Sequence, residues 1–266
     1  IEEVKNFLLK KKKGGSFMKV KKIILFMLVI SITLLTLNVP IYASSTDTID
    51  EEYLIKNRGP IEEIEKNSRN LELIEEGYSQ IPMPAAYSPH KLNVTAYRQE
   101  TSYWCGPANI KQVIQFINGS SDSQSTYANS MQTNSSDGTY VYKMVNELNK
   151  RQSKFTYAYK EVTSSVTASN IDTYIHLAVA QQKPMILHAK TQPLYLYNGA
   201  NLGHYLTISG FSDDILGPFP DDYRGPNKAY YTDPYYKDYG RGSVFGTHLT
   251  ENTTIYNCVK NRFIII

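Results

Sequence analysis

Four residue types that together could perform nucleophilic catalysis occur in order along this chain. Gln99 lies six positions before Cys105, and His204 and Asp233 follow far downstream. A thiol becomes a strong nucleophile when an imidazole takes its proton, and a carboxylate can hold that imidazole in the correct tautomer. A side-chain amide can donate a hydrogen bond to the oxyanion of an acyl-transfer intermediate. The set therefore predicts acyl-transfer chemistry at Cys105.

The surroundings of Cys105 favour a reactive thiol, although a cysteine on an apolar helix is more often an inert core residue. Apolar residues at helical spacing follow it, and Asn118-Gly119 is typical of a helix end. A position at the start of a helix lowers the pKa of a thiol, because unpaired backbone N–H groups favour the thiolate. Gly106 is expected to let a substrate backbone approach closely. Pro107 suits the first helical turn, where no N–H donor is needed.

His204 is the expected base among five histidines. It follows Gly203 and begins the apolar run 205–211, which is typical of a strand and would hold the ring in place. Asp233 follows another strand-like run and precedes Pro234, so its carboxylate is placed to orient the imidazole. The remaining histidines are interpreted as core or surface residues: His90, His176, His188 and His248.

This pattern resembles that of papain-like cysteine peptidases, most closely the bacteriocin-leader-processing peptidases and their C-39-like relatives. The matching motifs are Gln-x5-Cys-Gly-Pro-Ala, then Gly-His before an apolar strand, then Asp-Pro. The resemblance covers roughly Leu92 to the last strand. It implies an oxyanion-hole role for Gln99, with Cys105 as nucleophile, His204 as base and Asp233 as its orienting group. Transporter-fused members carry membrane and ATP-binding domains that this sequence does not show, so cleavage after a double glycine is not carried over.

The predicted elements place helices first and antiparallel strands later, which indicates an α+β domain. The resemblance implies a papain-like fold in which the nucleophile helix packs on an antiparallel sheet. Helices are predicted at 61–74, 105–118, 140–148 and 169–181. Strands are predicted at 92–97, 155–159, 184–189, 204–211, 228–232 and 262–266.

The first 90 residues are expected to serve export and maturation. Residues 18–43 have the pattern of a secretory signal peptide, with lysines before an apolar run of 15 residues that is short of the roughly 20 a membrane span needs. The alternative is an uncleaved anchor. Residues 1–17 are interpreted as a mis-annotated upstream extension. Residues 44–90 carry ten acidic and four basic residues and are interpreted as a prosegment or a linker, which leaves 91–266 as the peptidase domain.

Composition narrows the function classes. The chain has a formal net charge of +3, but residues 1–43 hold eight Lys/Arg and two Asp/Glu, so the remainder is near −3 and does not resemble a nucleic-acid binder. No motif in the sequence indicates a metal or a nucleotide cofactor. The Gly-x-Ser-x-Gly motif of serine hydrolases does not occur in it either. Cys258 either pairs with Cys105 in a disulfide or, as we expect, is a small buried hydrophobe.

The sequence thus predicts a secreted cysteine peptidase, extracellular or associated with the cell wall, that acts on a peptide or protein substrate without a cofactor. Contact with a membrane is expected only through the signal peptide during export, and residues 44–90 are a possible intramolecular partner. Two alternatives stay open. One is a transglutaminase-like or cell-wall amidase thiol enzyme, and the other is a non-catalytic secreted binding domain of the same fold.

Overall fold

The computed structural model of the chain describes residues 51–80, 90–212 and 227–266. The expectations for residues 1–17 and 18–43 lie outside the described residues. All described residues belong to a unit that runs from Ile49 to Ile266. Within these ranges no helix combines the length and apolar character that crossing a membrane requires.

A mixed arrangement of helices and antiparallel strands confirms the α+β expectation. The helices are α1 (Glu51–Arg58), α2 (Ile61–Ser79), α3 (Cys105–Asn118), α4 (Gln124–Ser130), α5 (Val141–Arg151), α6 (Ala168–Ala180) and α7 (Asn252–Val259). The strands are β1 (His90–Lys91), β2 (Tyr159–Glu161), β3 (Met185–Lys190), β4 (Gly203–Ser212), β5 (Lys228–Asp233), β6 (Gly246–Glu251) and β7 (Phe263–Ile265). A short 3₁₀ helix spans Tyr195–Tyr197.

The strands form one antiparallel sheet in the order β2-β7-β3-β4-β5-β6, and β1 pairs with β4 outside this path. Side chains of successive strand residues point to opposite faces. Two apolar clusters lie on the two faces of the sheet. In β3, Ile186 belongs to the first cluster and Leu187 belongs to the second. The first cluster packs α3 and α5 on the sheet, and the second packs α6 and α7 on the opposite face. The sheet therefore holds the nucleophile helix against β4, the strand that carries His204.

Helix α3 has the bounds that the sequence predicted. Its apolar stripe lies in the core through Ile110, Val113 and Ile114. Gly119 ends the helix in the left-handed conformation, with φ of 75°, and its N–H donates to the Gln115 carbonyl. Glycine accepts this conformation without a Cβ penalty, so the Asn-Gly signal marked the helix end correctly.

The strand predicted at 92–97 is wrong. The ladder there is limited to β1, which pairs His90 with Phe211 and Lys91 with Gly210. Residues 92–97 alternate between apolar and polar side chains, and Leu92 and Val94 are buried, as this alternation indicates. The Leu92 N–H donates to the Ser209 carbonyl, and beyond this bond the chain leaves the sheet. A Cβ at Gly210 would collide with the His90 carbonyl, so this glycine permits the close approach of β1.

Helices α1 and α2, which lie inside the expected prosegment or linker, pack on the rest of the unit. Leu54 is 1% exposed and belongs to the core cluster around α3. Asn57 accepts a hydrogen bond from the Val141 N–H at 3.1 Å. Asn67 pairs with both backbone groups of Tyr159, at 2.8 and 2.9 Å. The packed unit therefore begins before residue 91, and removal of this segment during maturation stays a prediction.

Candidate active site

Cys105 is the first residue of α3 and is partly exposed. The first turn of the helix leaves its backbone N–H groups without intrahelical partners, which favours negative charge on a group beside them. Pro107 lies in this turn, as predicted, because its missing N–H costs no hydrogen bond there. Cys105 also lines a cavity of about 400 Å³, which gives a substrate access to the sulfur.

His204 and Asp233 lie together beside this thiol. The imidazole Nε2 and the Asp233 Oδ1 are 2.9 Å apart, and both side chains are buried. Cys105 is close enough to contribute, after Asp233, to raising the pKa of His204. Because Nε2 faces the carboxylate, Nδ1 is the ring nitrogen left for the thiol. The structure therefore brings together three of the four residues that the sequence singled out.

The surroundings of His204 favour the imidazolium. Burial lowers its pKa, but the charge and hydrogen bond of Asp233, with a smaller contribution from Cys105, outweigh burial and raise the pKa to about 10. A protonated ring beside a sulfur stabilises a thiolate. It can also act later as the acid that protonates a leaving group.

Two tyrosines hold the Asp233 carboxylate and were not singled out by the sequence for this role. The Tyr197 hydroxyl donates to Oδ2 at 2.9 Å, and the Tyr235 backbone N–H donates to Oδ1 at 2.8 Å. The Tyr235 ring also meets the His204 ring edge to face, at 5.3 Å between centroids. These contacts fix the carboxylate that orients the imidazole. Because both contacts join segments that are distant in sequence or use a backbone group, the sequence alone did not indicate them.

Asn109 ties the first turn of α3 to β4. Its Nδ2 donates to the Cys105 carbonyl and to the Tyr205 carbonyl, both at 2.8 Å. Its Oδ1 accepts from the Thr207 hydroxyl at 2.5 Å. The side chain is fully buried, so these bonds are shielded from water. A buried amide thus sets the distance between the helix of the thiol and the strand of the imidazole. The available signal was a polar residue on the apolar face of α3.

Gln99 is buried near the end of β5 that carries Asp233. Its backbone N–H donates to the Pro234 carbonyl at 2.9 Å, which places it next to the residue after Asp233. Its Nε2 donates to the Thr101 carbonyl at 2.8 Å, and its Oε1 has no hydrogen-bond partner among the described residues. One amide hydrogen is therefore occupied and the second is available. The oxyanion role of Gln99 stays a prediction.

Two expectations near the thiol have different outcomes. Gly106 does not face a substrate, because a Cβ at this position would meet the Thr139 side chain, whose Cβ lies 2.8 Å away. The glycine instead lets α3 pack closely against Thr139. Cys258 is unpaired and buried, and burial raises the pKa of its thiol to about 12. It is the small hydrophobe that we expected, and no disulfide joins it to Cys105.

The sequence was compared with known families and proteins. A model described as "Peptidase_C39 like family" matches residues 91–258. This span is more than half of the chain and includes Cys105, His204 and Asp233. A search of curated proteins found no match.

Three solved structures are similar in outline. A double glycine motif protease from an AMS/PCAT transporter, in complex with the leader peptide, is 11% identical with a TM-score of 0.41, over 68% of this chain and 94% of that chain. The peptidase domain of Streptococcus ComA is 16% identical with a TM-score of 0.41, over 66% of this chain and 96% of that chain. A structure concerning the mite allergens Blo t 1 and Der p 1 is 12% identical with a TM-score of 0.39, over 82% and 81%. All three TM-scores are below 0.5, so the family assignment depends on the family model.

Proposed function

The chain belongs to the Peptidase_C39 like family, and from this premise we propose that it hydrolyses peptide bonds through a triad of Cys105, His204 and Asp233 after export from the cell. The family makes it a cysteine peptidase, hence a hydrolase, with a papain-like α+β fold. The triad, the oxyanion donor and export go beyond what the family assignment provides.

The proposed reaction has two stages. The Cys105 sulfur attacks the carbonyl carbon of the scissile bond, and a C–S bond forms as the carbonyl oxygen becomes an oxyanion. The His204 imidazolium then gives its proton to the amine as the C–N bond breaks. Neutral His204 next takes a proton from water, whose oxygen attacks the thioester. The acid product leaves, and the thiolate and imidazolium are restored.

One observation supports this proposal most strongly. The His204 imidazole lies 2.9 Å from the Asp233 carboxylate, its ring is only 2% exposed, and it interacts electrostatically with Cys105. The carboxylate fixes the orientation of the imidazole, which leaves the other ring nitrogen for the thiol. The same pair raises the pKa of His204, which favours the ion pair that a thiol peptidase needs.

The oxyanion is proposed to lie between the Gln99 side chain and the Cys105 backbone N–H. Gln99 is 4% exposed, and its Nε2 has one hydrogen beyond the bond to Thr101. Loss of a single donor of this kind reduces turnover by about 10²–10³-fold. Gln99→Ala should therefore lower kcat by that factor with a smaller change in KM. An unchanged kcat would remove Gln99 from the mechanism.

Export is proposed from the sequence of residues 18–43 alone. A cleaved signal peptide would leave Ser44 as the first residue, because Ala43 is the small residue expected before the cleavage site. N-terminal sequencing of protein from the culture medium tests this directly. Recovery of the protein only inside the cell, with the apolar segment intact, would contradict export.

The decisive experiment compares Cys105→Ala with Cys258→Ala. Iodoacetamide labelling and casein hydrolysis should both disappear in the first variant and persist in the second, because Cys258 is buried. Circular dichroism checks that both variants are folded. Casein hydrolysis that survives Cys105→Ala would contradict the proposal.

The same assay separates the alternative functions. Release of peptides from purified peptidoglycan, without casein hydrolysis, would indicate a cell-wall amidase. Incorporation of a labelled amine into casein would indicate transglutaminase-like transfer. Failure of an active-site-directed epoxide to label folded protein at Cys105 would indicate a non-catalytic binding domain.

A further inference from the structure

The cavity at Cys105 has walls from distant parts of the chain. One wall is α1, through Tyr53, Lys56 and Asn57, and another wall is the loop before α5. His188, Gly203 and Arg262 also line it. The cavity of about 400 Å³ therefore extends from the nucleophile along the strand that carries the base.

Arg262 is the unusual group in this cavity. It precedes β7, and no carboxylate lies within 4.0 Å of its guanidinium among the described residues. Nη1 donates to the Tyr53 hydroxyl at 3.1 Å, and the guanidinium lies 5.0 Å from the centre of that ring. Nε is buried without a hydrogen-bond partner in this part of the structure. A guanidinium has five donors and stays charged, so most of its binding capacity is unused here.

The other charged groups of the cavity do not neutralise Arg262. Glu52 pairs with Lys56 at 2.9 Å. Asp137 lies on the exposed side and accepts from the Ser136 hydroxyl at 3.2 Å. Burial, with the charge of Arg262, lowers the pKa of His188 well below its ordinary value, so His188 stays neutral. The inner part of the cavity therefore presents the Arg262 guanidinium, with which no carboxylate of the described residues pairs.

Arg262 also lies next to the residue that precedes the base and lines the same cavity as Cys105. Its Nη1 is 3.6 Å from the position that a Cβ on Gly203 would occupy, and Gly203 directly precedes His204. The register of the sheet explains this proximity, because β3 pairs His188 with Phe263 and Lys190 with Gly203. A substrate group that reaches the guanidinium thus belongs to a residue near the scissile bond.

We propose that Arg262 is a specificity-determining residue that binds a carboxylate of the peptide substrate next to the scissile bond. The inference rests on the proposed peptidase function and adds a substrate class to it. Arginine binds carboxylates through two parallel N–H donors, which gives both strength and direction. The carboxylate belongs either to an acidic side chain or to the free C-terminus of the substrate. The Tyr53 ring would hold the guanidinium in place from the α1 side.

The test uses pairs of quenched fluorescent peptides that differ only by Glu or Gln. The substitution is moved through the three positions on each side of the scissile bond, in peptides with an amidated C-terminus. At one position kcat/KM should be about 10- to 100-fold higher for Glu, as expected for hydrogen bonds to a charged partner. A second arm compares free-acid with amidated C-termini, and a preference for the free acid there alone assigns the carboxylate to the substrate's C-terminus.

Variants assign the preference to this residue. Arg262→Gln should bring the Glu/Gln ratio close to one, and Arg262→Lys should retain part of it, because a single ammonium lacks the paired donors. Arg69→Gln makes the same charge change on the exposed face of α2 and should keep the full ratio. If Arg262→Gln does not fold, the Arg262→Lys ratio decides.

The outcomes separate this inference from the proposed function. Cys105-dependent cleavage with equal rates for Glu and Gln at every position, and for both C-termini, overturns the carboxylate site alone. A Glu preference that survives in the Arg262 variants also overturns it. Absence of any Cys105-dependent cleavage overturns the peptidase proposal itself.

Discussion

Replacement of Asn109 by alanine tests the idea that a buried amide sets the distance between thiol and imidazole. The change removes three hydrogen bonds, to the Cys105 and Tyr205 carbonyls and from the Thr207 hydroxyl. A hydrogen bond contributes about 1 kcal/mol net, and a buried group left without its partner costs about 1–3 kcal/mol. The free energy of unfolding should therefore fall by about 3–5 kcal/mol.

Thermal unfolding gives a direct readout of this loss. For 150–250 residues, 1 kcal/mol shifts the melting temperature by about 2–4 °C, so the expected decrease for Asn109→Ala is about 6–20 °C. Gln112→Leu on the same helix is the matched control. Gln112 is also fully buried, but neither of its amide atoms has a hydrogen-bond partner among the described residues. Replacing an unpaired buried amide with an apolar side chain should be neutral or stabilising.

The comparison of the two variants can refute the reasoning. If Asn109→Ala melts within about 2 °C of the native protein, the bonds do not contribute as described. If Gln112→Leu loses as much stability as Asn109→Ala, then volume and not hydrogen bonding controls this helix. Either result would remove Asn109 from the account of how the site is positioned.

Three further predictions concern the site and the N-terminal helices. Tyr197→Phe removes one hydrogen bond to the Asp233 carboxylate and should lower kcat/KM about 10- to 100-fold. Tyr195→Phe, at an exposed tyrosine two residues earlier, should leave kcat/KM unchanged. Equal effects of the two substitutions would contradict the positioning role of Tyr197. The pKa of His204 is raised from 6.5 to about 10, so the stability it contributes is complete below pH 6.5 and is lost as the pH rises through about 10. Urea titrations should show this decline in the native protein and a weaker one in Asp233→Asn. A chain that starts at Lys91 lacks α1 and α2 and therefore loses their hydrogen bonds to Val141 and Tyr159. It should melt at a lower temperature and be less active than the full chain. Higher activity at an unchanged melting temperature would instead indicate an inhibitory prosegment.

The sequence was most informative where local signals agree with one another. Helix α3 has an apolar stripe, a proline in its first turn and a glycine after its end, and each signal acts within a few residues. Strands β3 to β5 appeared as apolar runs close to their observed bounds, because a strand with two buried faces is apolar throughout. The candidate site was indicated for the same reason, since Gln-x5-Cys-Gly-Pro-Ala, Gly-His and Asp-Pro are each a local pattern.

The parts that the sequence did not predict depend on distant partners. Asn109 and Tyr197 acquire their roles from residues 96 and 36 positions away, and the local sequence does not identify those partners. Helices α1 and α2 are too polar to look like part of a core, because buried asparagines as well as apolar side chains hold them in place. The alternation of apolar and polar residues at 92–97 predicted the burial of Leu92 and Val94 correctly. A buried segment forms a strand only where a neighbouring strand pairs with its backbone, and the ladder here is limited to residues 90 and 91.

The position of β7 within the sheet constrains how the molecule can assemble. This strand comes last in the chain, yet it lies between β2 and β3, and Ile266 exchanges both backbone hydrogen bonds with Ala158. Until residues 263–266 arrive, β2 and β3 have open edges that no earlier strand can fill. Pairings between such distant segments form slowly, and open edges invite association with other chains. Residues 263–266 therefore join β2 to the rest of the sheet, and a defect there would separate β2 and open an edge of β3.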